Sequence, residues 1–434
     1  MNRMQINRRD FVKLASYGLG LGLTANSFPV LARASKPPLG RVVVIGGGYA
    51  GATVAKYLKL WSLGSIEVVV IEKNAQFVSC PLSNLVLGGS KTIDELTFGY
   101  DVLKRQHGIR WVQDEVIGID AVAKKVTLQR GELSYDRLII APGIDFIYSE
   151  LPMLQSADAQ KLVPHAWKAG WQTVNLRQQL EAMPNGGVFV MSVPKAPYRC
   201  PPGPYERAAQ VAFYFKQHKP KSKVIVLDAN GEITSKKGLF TKVFNETYAG
   251  LIDYRPNSSI VEVDVTNKIV KTEFEQVKAD VLNIIPAQRA GKPAQMVKLG
   301  DQAIGLNNID QRWCEVEFLS YESKVARDIH VIGDAISAAL PKSAHMATNQ
   351  AKICANAIVQ LMSGNAPDPT PVFANTCYSY ISDRSAMHVA HVYRYDATKG
   401  MVAAEGGGVS LQPSELEGKY AAAWAQNIWA DTLT

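Results

Sequence analysis

The sequence lacks the patterns that mark zinc, haem and nucleic-acid-binding proteins. It has only five cysteines among 434 residues, and none has the C-x-x-C or C-x-x-C-H spacing that binds zinc or attaches haem, so no metal site is expected. Basic residues are not interleaved with aromatic residues, which argues against a nucleic-acid partner. Internal repeats and low-complexity segments are also missing. With 47% hydrophobic and 20% charged residues, the composition argues against disorder, a fibrous repeat and a polytopic membrane protein.

The first 34 residues have the pattern of an export signal. Paired arginines at 8–9 precede an apolar run over 14–31 and an Ala-Arg-Ala site at 32–34. The arginine pair followed by Phe-Val-Lys favours twin-arginine export, which carries proteins already folded around a cofactor, and predicts a periplasmic protein. An N-terminal membrane anchor is the alternative, but glycines and polar residues interrupt the apolar run. The signal has five basic residues and one acid, so it accounts for half of the +8 net charge.

The chain after the signal opens with a pattern typical of dinucleotide-binding domains. The β-branched segment 41–45 predicts a buried parallel strand, followed by the glycine-rich turn 46–51 and a helix over 52–58. A second predicted strand, 66–71, ends at Glu72. The order of strand, glycine turn, helix, strand and acid predicts a bound dinucleotide. The alternative is a Rossmann unit that serves structure alone.

Each glycine of this turn has its own physical role. Gly46 permits the tight turn, Gly48 lets the backbone approach a pyrophosphate, and Gly51 lets the helix pack closely on the strand. The helix N-terminus then stabilises the phosphate charge, and Glu72 accepts hydrogen bonds from ribose hydroxyls. The predicted phosphate-binding residues are Gly46, Gly48, Tyr49, Ala50 and Gly51.

Two later segments favour FAD over NAD. Residues 135–143 resemble the strand and turn that close the FAD domain of flavoproteins with two dinucleotide domains. Residues 330–335 resemble the late segment of those proteins, in which an aspartate meets the ribityl chain. The FAD-binding residues predicted from these segments are Ala141, Gly143, Gly333 and Asp334.

A second nucleotide-type unit is expected without a phosphate-binding loop. The predicted strand 188–191 leads into a proline-rich segment, 194–204, where a glycine-rich turn would be needed. Proline has no N–H group to offer a phosphate, so NAD(P)H is not expected as the electron donor. A further predicted strand, 223–227, ends at Asp228, which indicates that the rest of the scaffold is present.

The predicted fold class is α/β, with two Rossmann-like domains of the glutathione/disulfide reductase type and a C-terminal α+β domain. At about three times the ~150 residues of an average domain, the chain is long enough for this arrangement. Residues 400–418, with three consecutive glycines, are expected to form an exposed connection. The predicted divisions are a signal (1–34), the first part of the FAD domain (35–150), the second nucleotide-type domain (151–285), the return of the FAD domain (286–365) and an interface domain (366–434).

Three cysteines fall in segments that should approach a flavin. Cys200 lies where a pyridine nucleotide would otherwise approach, and Cys377 follows the ribityl-binding segment. These two form a disulfide in one interpretation and are small buried side chains in the other, because spacing does not fix connectivity. Cys80 follows the second strand and is either a thioether to the flavin or a packed thiol. Cys314 and Cys354 are expected to be free, buried thiols.

Together these segments resemble the flavoprotein subunit of flavocytochrome c sulfide dehydrogenase, over essentially all of the chain after the signal. The most specific segments are 80–84 and the proline-rich cysteine loop 199–207, because a generic pyridine-nucleotide flavoprotein needs neither. The other segments that carry the resemblance are 164–170, 286–292, 332–335 and 375–379.

The resemblance implies roles for particular residues. Cys80 would attach to FAD through an 8α-methyl thioether, Cys200 and Cys377 would form a redox disulfide, and Glu206 would handle a proton. Asn84 is included among the cofactor-binding residues. For Glu206 the alternative is an ordinary acid at a helix start, after Pro204.

The resemblance also implies an activity and a partner. Sulfide would be oxidised to zero-valent sulfur or polysulfide, and electrons would pass through FAD to a haem on a separate c-type cytochrome subunit, giving a heterodimer. The aromatic residues of 366–434 would cover the flavin and offer the cytochrome interface. Two alternatives stay open: a membrane-bound sulfide:quinone oxidoreductase, and a non-enzymatic flavoprotein partner of a thiosulfate-oxidation system.

Overall fold

Two parallel sheets flanked by helices organise the part of the chain that the computed structural model describes, residues 38–434 without the side chains of 404 and 405. The expected export signal lies outside these residues. The helices are α1 (Tyr49–Trp61), α2 (Ser83–Gly88), α3 (Asp101–His107), α4 (Ala157–Leu162), α5 (Trp171–Ala182), α6 (Gly203–His218), α7 (Lys237–Lys242), α8 (Ala344–Met362) and α9 (Glu415–Leu433).

The strands are short and numerous. In chain order they are β1 (Gly40–Ile45), β2 (Ile66–Ile71), β3 (Phe77–Val78), β4 (Thr97–Phe98), β5 (Arg110–Val112), β6 (Val116–Asp120), β7 (Lys125–Leu128), β8 (Gly131–Ser134), β9 (Arg137–Ile140), β10 (Ile144–Phe146), β11 (Val188–Val193), β12 (Lys223–Asp228), β13 (Ile252–Arg255), β14 (Ile260–Asp264), β15 (Ile269–Thr272), β16 (Gln276–Lys278), β17 (Val281–Asn283), β18 (Gln288–Ala290), β19 (Val297–Leu299), β20 (Gln302–Ala303), β21 (Val316–Glu317), β22 (Glu322–Ser323), β23 (Ile329–Val331), β24 (Val372–Tyr380), β25 (Ala386–Asp396) and β26 (Gly400–Val409).

The first sheet has the order β21-β22-β23-β9-β1-β2-β5, and its five strands from β23 to β5 are parallel. The last four residues of β1 are buried, as are the last four of β2, as is typical of parallel strands covered on both faces. The predicted strand, glycine turn, helix and strand at the start of the chain are confirmed. The chain reaches this sheet again far along the sequence, with β21, β22 and β23.

The second sheet has the order β13-β12-β11-β17, and all of its strand pairs are parallel. The predicted strands at 188–191 and 223–227 are its two central strands, β11 and β12. Helix α6 begins at Gly203, within the last residues of the proline-rich segment 194–204. The α/β class with two Rossmann-like sheets is therefore confirmed.

Smaller sheets accompany these two. Strand β10 pairs with β18, so the chain leaves the first sheet near residue 144 and returns near residue 288 along the same pair. A five-stranded sheet, in the order β20-β19-β6-β7-β8, packs beside the first sheet. The exact domain boundaries at 150/151 and 285/286 stay predictions.

The C-terminal part consists of an antiparallel sheet, β24-β25-β26, and the helix α9. The exposed connection expected over 400–418 is wrong, because β26 occupies its first half and α9 begins at Glu415. The consecutive glycines have φ values of 102°, 118° and 157°, and a Cβ on Gly407 would lie 2.4 Å from the carbonyl oxygen of Ala390. These glycines therefore permit an irregular, close strand pairing, and they do not mark a loop.

Helix α9 packs back onto α1 of the first sheet. Tyr57 donates to the Asp431 carboxylate at 2.6 Å, and Lys56 Nζ donates to the Asp431 carbonyl oxygen at 2.9 Å. The C-terminal helix therefore contacts the helix that follows the glycine-rich turn. Within residues 38–434, no helix combines the length and apolar character needed to cross a bilayer.

The close approach of α1 to the turn gives a prediction about Gly51. A Cβ at this position would lie 1.8 Å from the Gly46 carbonyl oxygen, which is backbone and has no rotamer to change. We expect Gly51→Ala to lower the free energy of unfolding by about 2–3 kcal/mol, measured by urea denaturation. The matched control is Gly238→Ala in α7, where a Cβ meets nothing within 4 Å and should be neutral or stabilising. Equal stability of the two variants would contradict this account of the turn.

Candidate functional site

A cavity of about 630 Å³ runs from the glycine-rich turn to the cysteine loop that precedes α6. The carboxyl ends of the first sheet, the segment after β3, the start of α6 and strand β24 all contribute to its walls. Of the site residues predicted from the sequence, all except Gly51 line this cavity. Gly51 packs against the carbonyl of Gly46 on the far side of the turn.

The glycine-rich end of the cavity is built for an anion. A Cβ on Gly48 would meet nothing within 4 Å, so the cavity side of the turn is open. No side chain caps the N-terminus of α1, which leaves its first N–H groups to bind a phosphate. Glu72 is held at the end of β2 by the backbone N–H groups of Gly47 and Asn74, at 2.7 and 2.8 Å. These features fit the adenosine pyrophosphate part of a dinucleotide.

Asp334 lies in the cavity between the two ends. Gly333 N–H donates to the Gln350 side chain at 2.7 Å, which fixes the turn after β23. Burial raises the pKa of Asp334, while Arg199 and Lys342 act against that shift. Within residues 38–434, no group donates a hydrogen bond to its carboxylate, which leaves that carboxylate to bind hydroxyl groups of a ligand.

Cys80 lies in a segment that is tied to both α1 and α9. The Ser79 hydroxyl hydrogen-bonds the Tyr49 hydroxyl at 2.7 Å, and the Trp429 indole N–H donates to Ser79 at 3.0 Å. The Ser83 hydroxyl donates to the carbonyl oxygen of Cys80 at 2.7 Å. The backbone at Cys80 is therefore fixed, and its half-buried thiol lines the cavity.

Cys200 and Cys377 reach the same end of the cavity from different elements. Cys200 has a left-handed backbone, with φ 58°, and its N–H donates to the Lys342 carbonyl oxygen at 2.7 Å. Such a conformation is uncommon for a non-glycine residue and is frequent at functional sites. Burial raises the pKa of the Cys200 thiol, and the neighbouring Cys377 and Glu206 raise it further. All five cysteines are free thiols in the structure, so the disulfide stays a prediction.

Glu206 is buried in the first turn of α6, but its carboxylate is not used to cap that helix. One oxygen accepts from the Tyr380 N–H at 2.8 Å and the other from the Asn84 amide at 3.0 Å. Burial raises the pKa of this carboxyl, and the two hydrogen bonds act against that shift. A carboxyl with a raised pKa at a cavity wall is suited to holding and releasing a proton.

Sequence reasoning missed Arg207, the neighbour of Glu206. Its guanidinium is fully buried and donates to the carbonyl oxygens of His165 and Ala166 at 2.9 and 2.6 Å. It also donates to the side-chain oxygens of Asn84 and Asn283, at 3.1 and 2.9 Å. Burial lowers the pKa of Arg207 to about 9. In the sequence, the only feature that could have indicated a role for Arg207 was its position at the end of the cysteine loop 199–207.

Lys236 is a second residue that the sequence did not indicate. Its ammonium group is buried and donates to the Cys377 carbonyl oxygen at 3.0 Å and to the Ser379 hydroxyl at 2.9 Å. It lies in a loop after β12, outside every motif, so only the tertiary structure brings it to the cysteine end of the cavity.

The remaining candidates lie away from the cavity. Asp228, at the end of β12, accepts hydrogen bonds from the hydroxyls of Tyr205 and Tyr254 at 2.8 and 2.9 Å, so it serves the core of the second sheet. Cys314 and Cys354 are fully buried free thiols, as expected. Burial raises the pKa of Cys314 to about 12, which makes it a poor nucleophile.

Three segments of the chain match known protein families. Residues 173–286 match the central region of the sulfide dehydrogenase (flavocytochrome c) flavoprotein chain. Residues 369–433 match the flavin-binding region of flavocytochrome c sulfide dehydrogenase. Residues 40–167 match the pyridine nucleotide-disulfide oxidoreductases.

Two curated proteins are similar to parts of this chain. A mitochondrial sulfide:quinone oxidoreductase of Dictyostelium discoideum is 23% identical over 327 residues, which cover 72% of this chain and 69% of the relative. A probable ferredoxin reductase, CtmF, of Castellaniella defragrans is 34% identical over 125 residues, 28% of this chain and 31% of that protein. The second similarity is therefore confined to about a third of either protein.

Two solved structures illustrate the similarity of fold. The sulfide:quinone oxidoreductase of Aquifex aeolicus has a TM-score of 0.71 at 18% identity, covering 90% of this chain and 91% of that one. The putidaredoxin reductase–putidaredoxin complex has a TM-score of 0.62 at 15% identity, covering 91% and 93%. At these identities the likeness shows the fold.

Arg207 supplies a prediction about stability. Arg207→Met removes a hydrogen bond from each of four buried acceptors, of which the His165 carbonyl oxygen keeps a second donor in the Asn283 amide, and it removes the cation beside Glu206. We therefore expect a loss of roughly 3–5 kcal/mol in the free energy of unfolding. Urea denaturation measures it. Arg384→Met is the control, because that side chain is 73% exposed and its ion pair with Asp383 is weak. A loss under about 1 kcal/mol at Arg207 would contradict the role given to it.

Proposed function

Because the chain belongs to the family of the flavoprotein chain of flavocytochrome c sulfide dehydrogenase, we propose that it is a periplasmic enzyme that oxidises sulfide to zero-valent sulfur or polysulfide. It is an FAD-dependent oxidoreductase related to the sulfide dehydrogenases and sulfide:quinone oxidoreductases. The observation that carries the proposal is one cavity that joins a dinucleotide-binding turn, three cysteines and a buried glutamate.

The residues along the cavity fit FAD. The glycine-rich turn and the N-terminus of α1 would bind its pyrophosphate, Glu72 its adenosine ribose, and Asp334 its ribityl hydroxyls. Cys80 would attach to it through a thioether at the 8α-methyl group, and its fixed backbone would hold the flavin in one position. Bound FAD supplies the ability to accept two electrons together and to release them singly.

The cysteine end would then act on hydrosulfide. In the oxidised protein Cys200 and Cys377 would be joined, and HS⁻ would attack one of their sulfurs. The attack breaks the disulfide, forms a new sulfur–sulfur bond in a cysteine persulfide, and leaves the electron pair on the other cysteine as a thiolate. Arg199 and Arg207, both at the cavity wall, favour the approach of an anion. Glu206 would accept and return the proton.

Electrons would leave towards a haem on a separate c-type cytochrome subunit. Tyr378 and Trp424 line the cavity and also a surface groove of about 410 Å³ along α9. The groove includes the half-exposed Tyr420, an amphipathic side chain of the kind that protein interfaces favour. These side chains support a docking site for the cytochrome on this face. The periplasmic location rests on the predicted twin-arginine signal.

A sulfide:quinone oxidoreductase is the second candidate function. It is favoured by the relative of that name whose similarity spans 72% of this chain. The two functions differ in the electron acceptor, so parallel assays with a c-type cytochrome and with a soluble quinone separate them. If the protein reduces quinone and not the cytochrome, quinone is the electron acceptor and the cytochrome partner falls out of our proposal.

The thioether gives a prediction about Cys80. We expect the flavin of the wild-type protein to stay with the polypeptide after acid precipitation, and that of Cys80→Ser to appear in the supernatant. Absorbance of both fractions and mass spectrometry of the flavin peptide measure this. Cys354→Ala is the control, because that thiol is buried away from the cavity. Free flavin in the wild-type supernatant would contradict the covalent link.

The disulfide gives a prediction about activity. We expect Cys200→Ser and Cys377→Ser each to reduce sulfide-dependent reduction of a c-type cytochrome to background, because neither variant can form the bond that HS⁻ attacks. Cys314→Ala, the matched buried control, should keep wild-type activity. Full activity in either serine variant would contradict the redox disulfide.

Glu206 gives a prediction about pH. Because burial raises its pKa, the carboxyl becomes protonated at a higher pH than the ordinary value of about 4.3. A base is lost on protonation, so kcat should fall as the pH drops through this raised pKa. Glu206→Gln should lower kcat by roughly 10²–10⁴ and remove that acidic limb. An unchanged pH–rate profile in the variant would show that Glu206 handles no proton.

A further inference from the structure

Lys236 is a buried cation directly behind the cysteine pair. It lies between β12 and α7, with a left-handed backbone at φ 54°, and it is 7% exposed. Lysine is rarely buried unless its charge has a partner, because desolvating an ammonium group is costly. Within residues 38–434, no carboxylate lies within ion-pair distance of its Nζ. The burial of its ammonium group is therefore not explained by an ion pair.

The contacts of Lys236 aim its charge at strand β24. Nζ donates to the carbonyl oxygen of Cys377 at 3.0 Å and to the hydroxyl of Ser379 at 2.9 Å. Both acceptors are neutral, so the hydrogen bonds fix the position of the ammonium group without neutralising its charge. Cys377 is the residue of β24 whose thiol lines the cavity beside Cys200.

The groups that act on the charge of Lys236 include both cysteines of the pair. Burial lowers the pKa of Lys236 to about 8, while Cys377, Glu206 and Cys200 act to raise it, in that order. Glu206 already accepts two hydrogen bonds from other residues. Glu417, from α9, contributes least. The two cysteines are therefore the sites at which a new negative charge would meet this cation.

The other titratable groups near the cysteine pair are less suited to stabilising a thiolate. His345, from α8, accepts from the Thr376 N–H at 3.0 Å, and burial lowers its pKa, so it is neutral. Burial raises the pKa of Tyr393, from β25, so it keeps its proton. Arg199 is a cation next to Cys200, but its guanidinium donates to the carbonyl oxygen of Trp167. Lys236 is thus the cation placed on the Cys377 side.

We propose that Lys236 is a positioning residue whose ammonium group stabilises the thiolate that is released when the Cys200–Cys377 disulfide opens. This inference rests on the proposed function. When HS⁻ attacks one sulfur, the disulfide bond breaks, a persulfide bond forms, and the displaced sulfur carries away the electron pair as a thiolate. The step takes no other reactant, and the negative charge that HS⁻ brings in comes to lie beside Lys236.

A stabilised thiolate has two measurable consequences. The thiols of the reduced pair ionise at lower pH, and the reduced pair is favoured relative to the disulfide, which makes the disulfide a stronger oxidant. A lysine that only braced β24 through its hydrogen bonds would produce neither effect.

The test is the rate at which the reduced cysteine pair reacts with iodoacetamide as a function of pH, followed peptide by peptide in the flavin-loaded full chain. Lys236→Gln keeps a hydrogen-bond donor and removes the charge, and Lys236→Arg keeps the charge. We expect the Gln variant to alkylate about tenfold more slowly at pH 7, which corresponds to a thiol pKa higher by about one unit. The Arg variant should resemble the wild type.

Lys237→Met is the matched control. It removes the adjacent lysine, whose side chain is 60% exposed and paired with Glu232, so alkylation should not change. Equilibration with glutathione is the second measurement, and it should show about a tenfold shift of the Gln variant towards the disulfide, or about 30 mV. Wild-type alkylation and wild-type redox equilibrium in the Gln variant would overturn the proposal.

Failure of this inference is distinguishable from failure of the proposed function. If hydrosulfide forms a persulfide on Cys200 or Cys377 of the wild-type protein but Lys236→Gln alkylates normally, sulfide oxidation stands and the role of Lys236 falls. If hydrosulfide forms no persulfide on either cysteine of the oxidised wild-type protein, the proposed function falls, and the thiolate role of Lys236 falls with it.

Discussion

The site depends on one buried bridge, in which Asn84 connects two side chains of opposite charge. Its amide donates to Glu206 at 3.0 Å, and its carbonyl oxygen accepts from Arg207 at 3.1 Å. Asn84 belongs to α2, close after Cys80, while the two charged residues open α6 close after Cys200. Glu206 also accepts from the backbone of Tyr380 on β24. This one network therefore joins the three chain segments that carry the cavity cysteines.

The network also fixes the sign of the charge at this end of the cavity. Arg207 and Lys236 are buried there, and Glu206 is the carboxylate that accompanies them. Burial of an isolated charge is expensive, so an excess of cations favours any step that places an anion among them. Hydrosulfide and a cysteine thiolate are both small anions. The buried cations thus favour the same anions that the chemistry proposed for the cysteines brings in or produces.

Much of the fold was predictable because its signals are local. The strand, the glycine turn and the helix at 41–58 each follow from neighbouring residues, and a Cβ at Gly51 would indeed collide with the turn. The glycines at 406–408 misled for the same reason, since a glycine run marks a loop in one context and a close strand pairing in another. Their neighbour Ala390 lies on the adjacent strand β25, and a single sequence does not display that pairing.

The sequence predicted the site residues that lie in recognisable motifs. It did not predict those that only tertiary contacts bring to the site. The cysteines and Glu206 lie in distinctive segments, and the structure brings them to one cavity. The partners of Arg207 include the carbonyl groups at 165–166 and the asparagine at 283. The partners of Lys236 lie on β24. A buried lysine or arginine looks like any surface residue in a sequence, because its partners come from elements far along the chain.

The central claim is that electrons from sulfide reach a flavin bound in this cavity. An anaerobic titration of the flavin-loaded protein with hydrosulfide, followed by the visible absorbance of the flavin, tests it most directly. We predict that hydrosulfide bleaches the flavin as completely as dithionite does. A flavin that dithionite bleaches and hydrosulfide leaves oxidised would contradict the account.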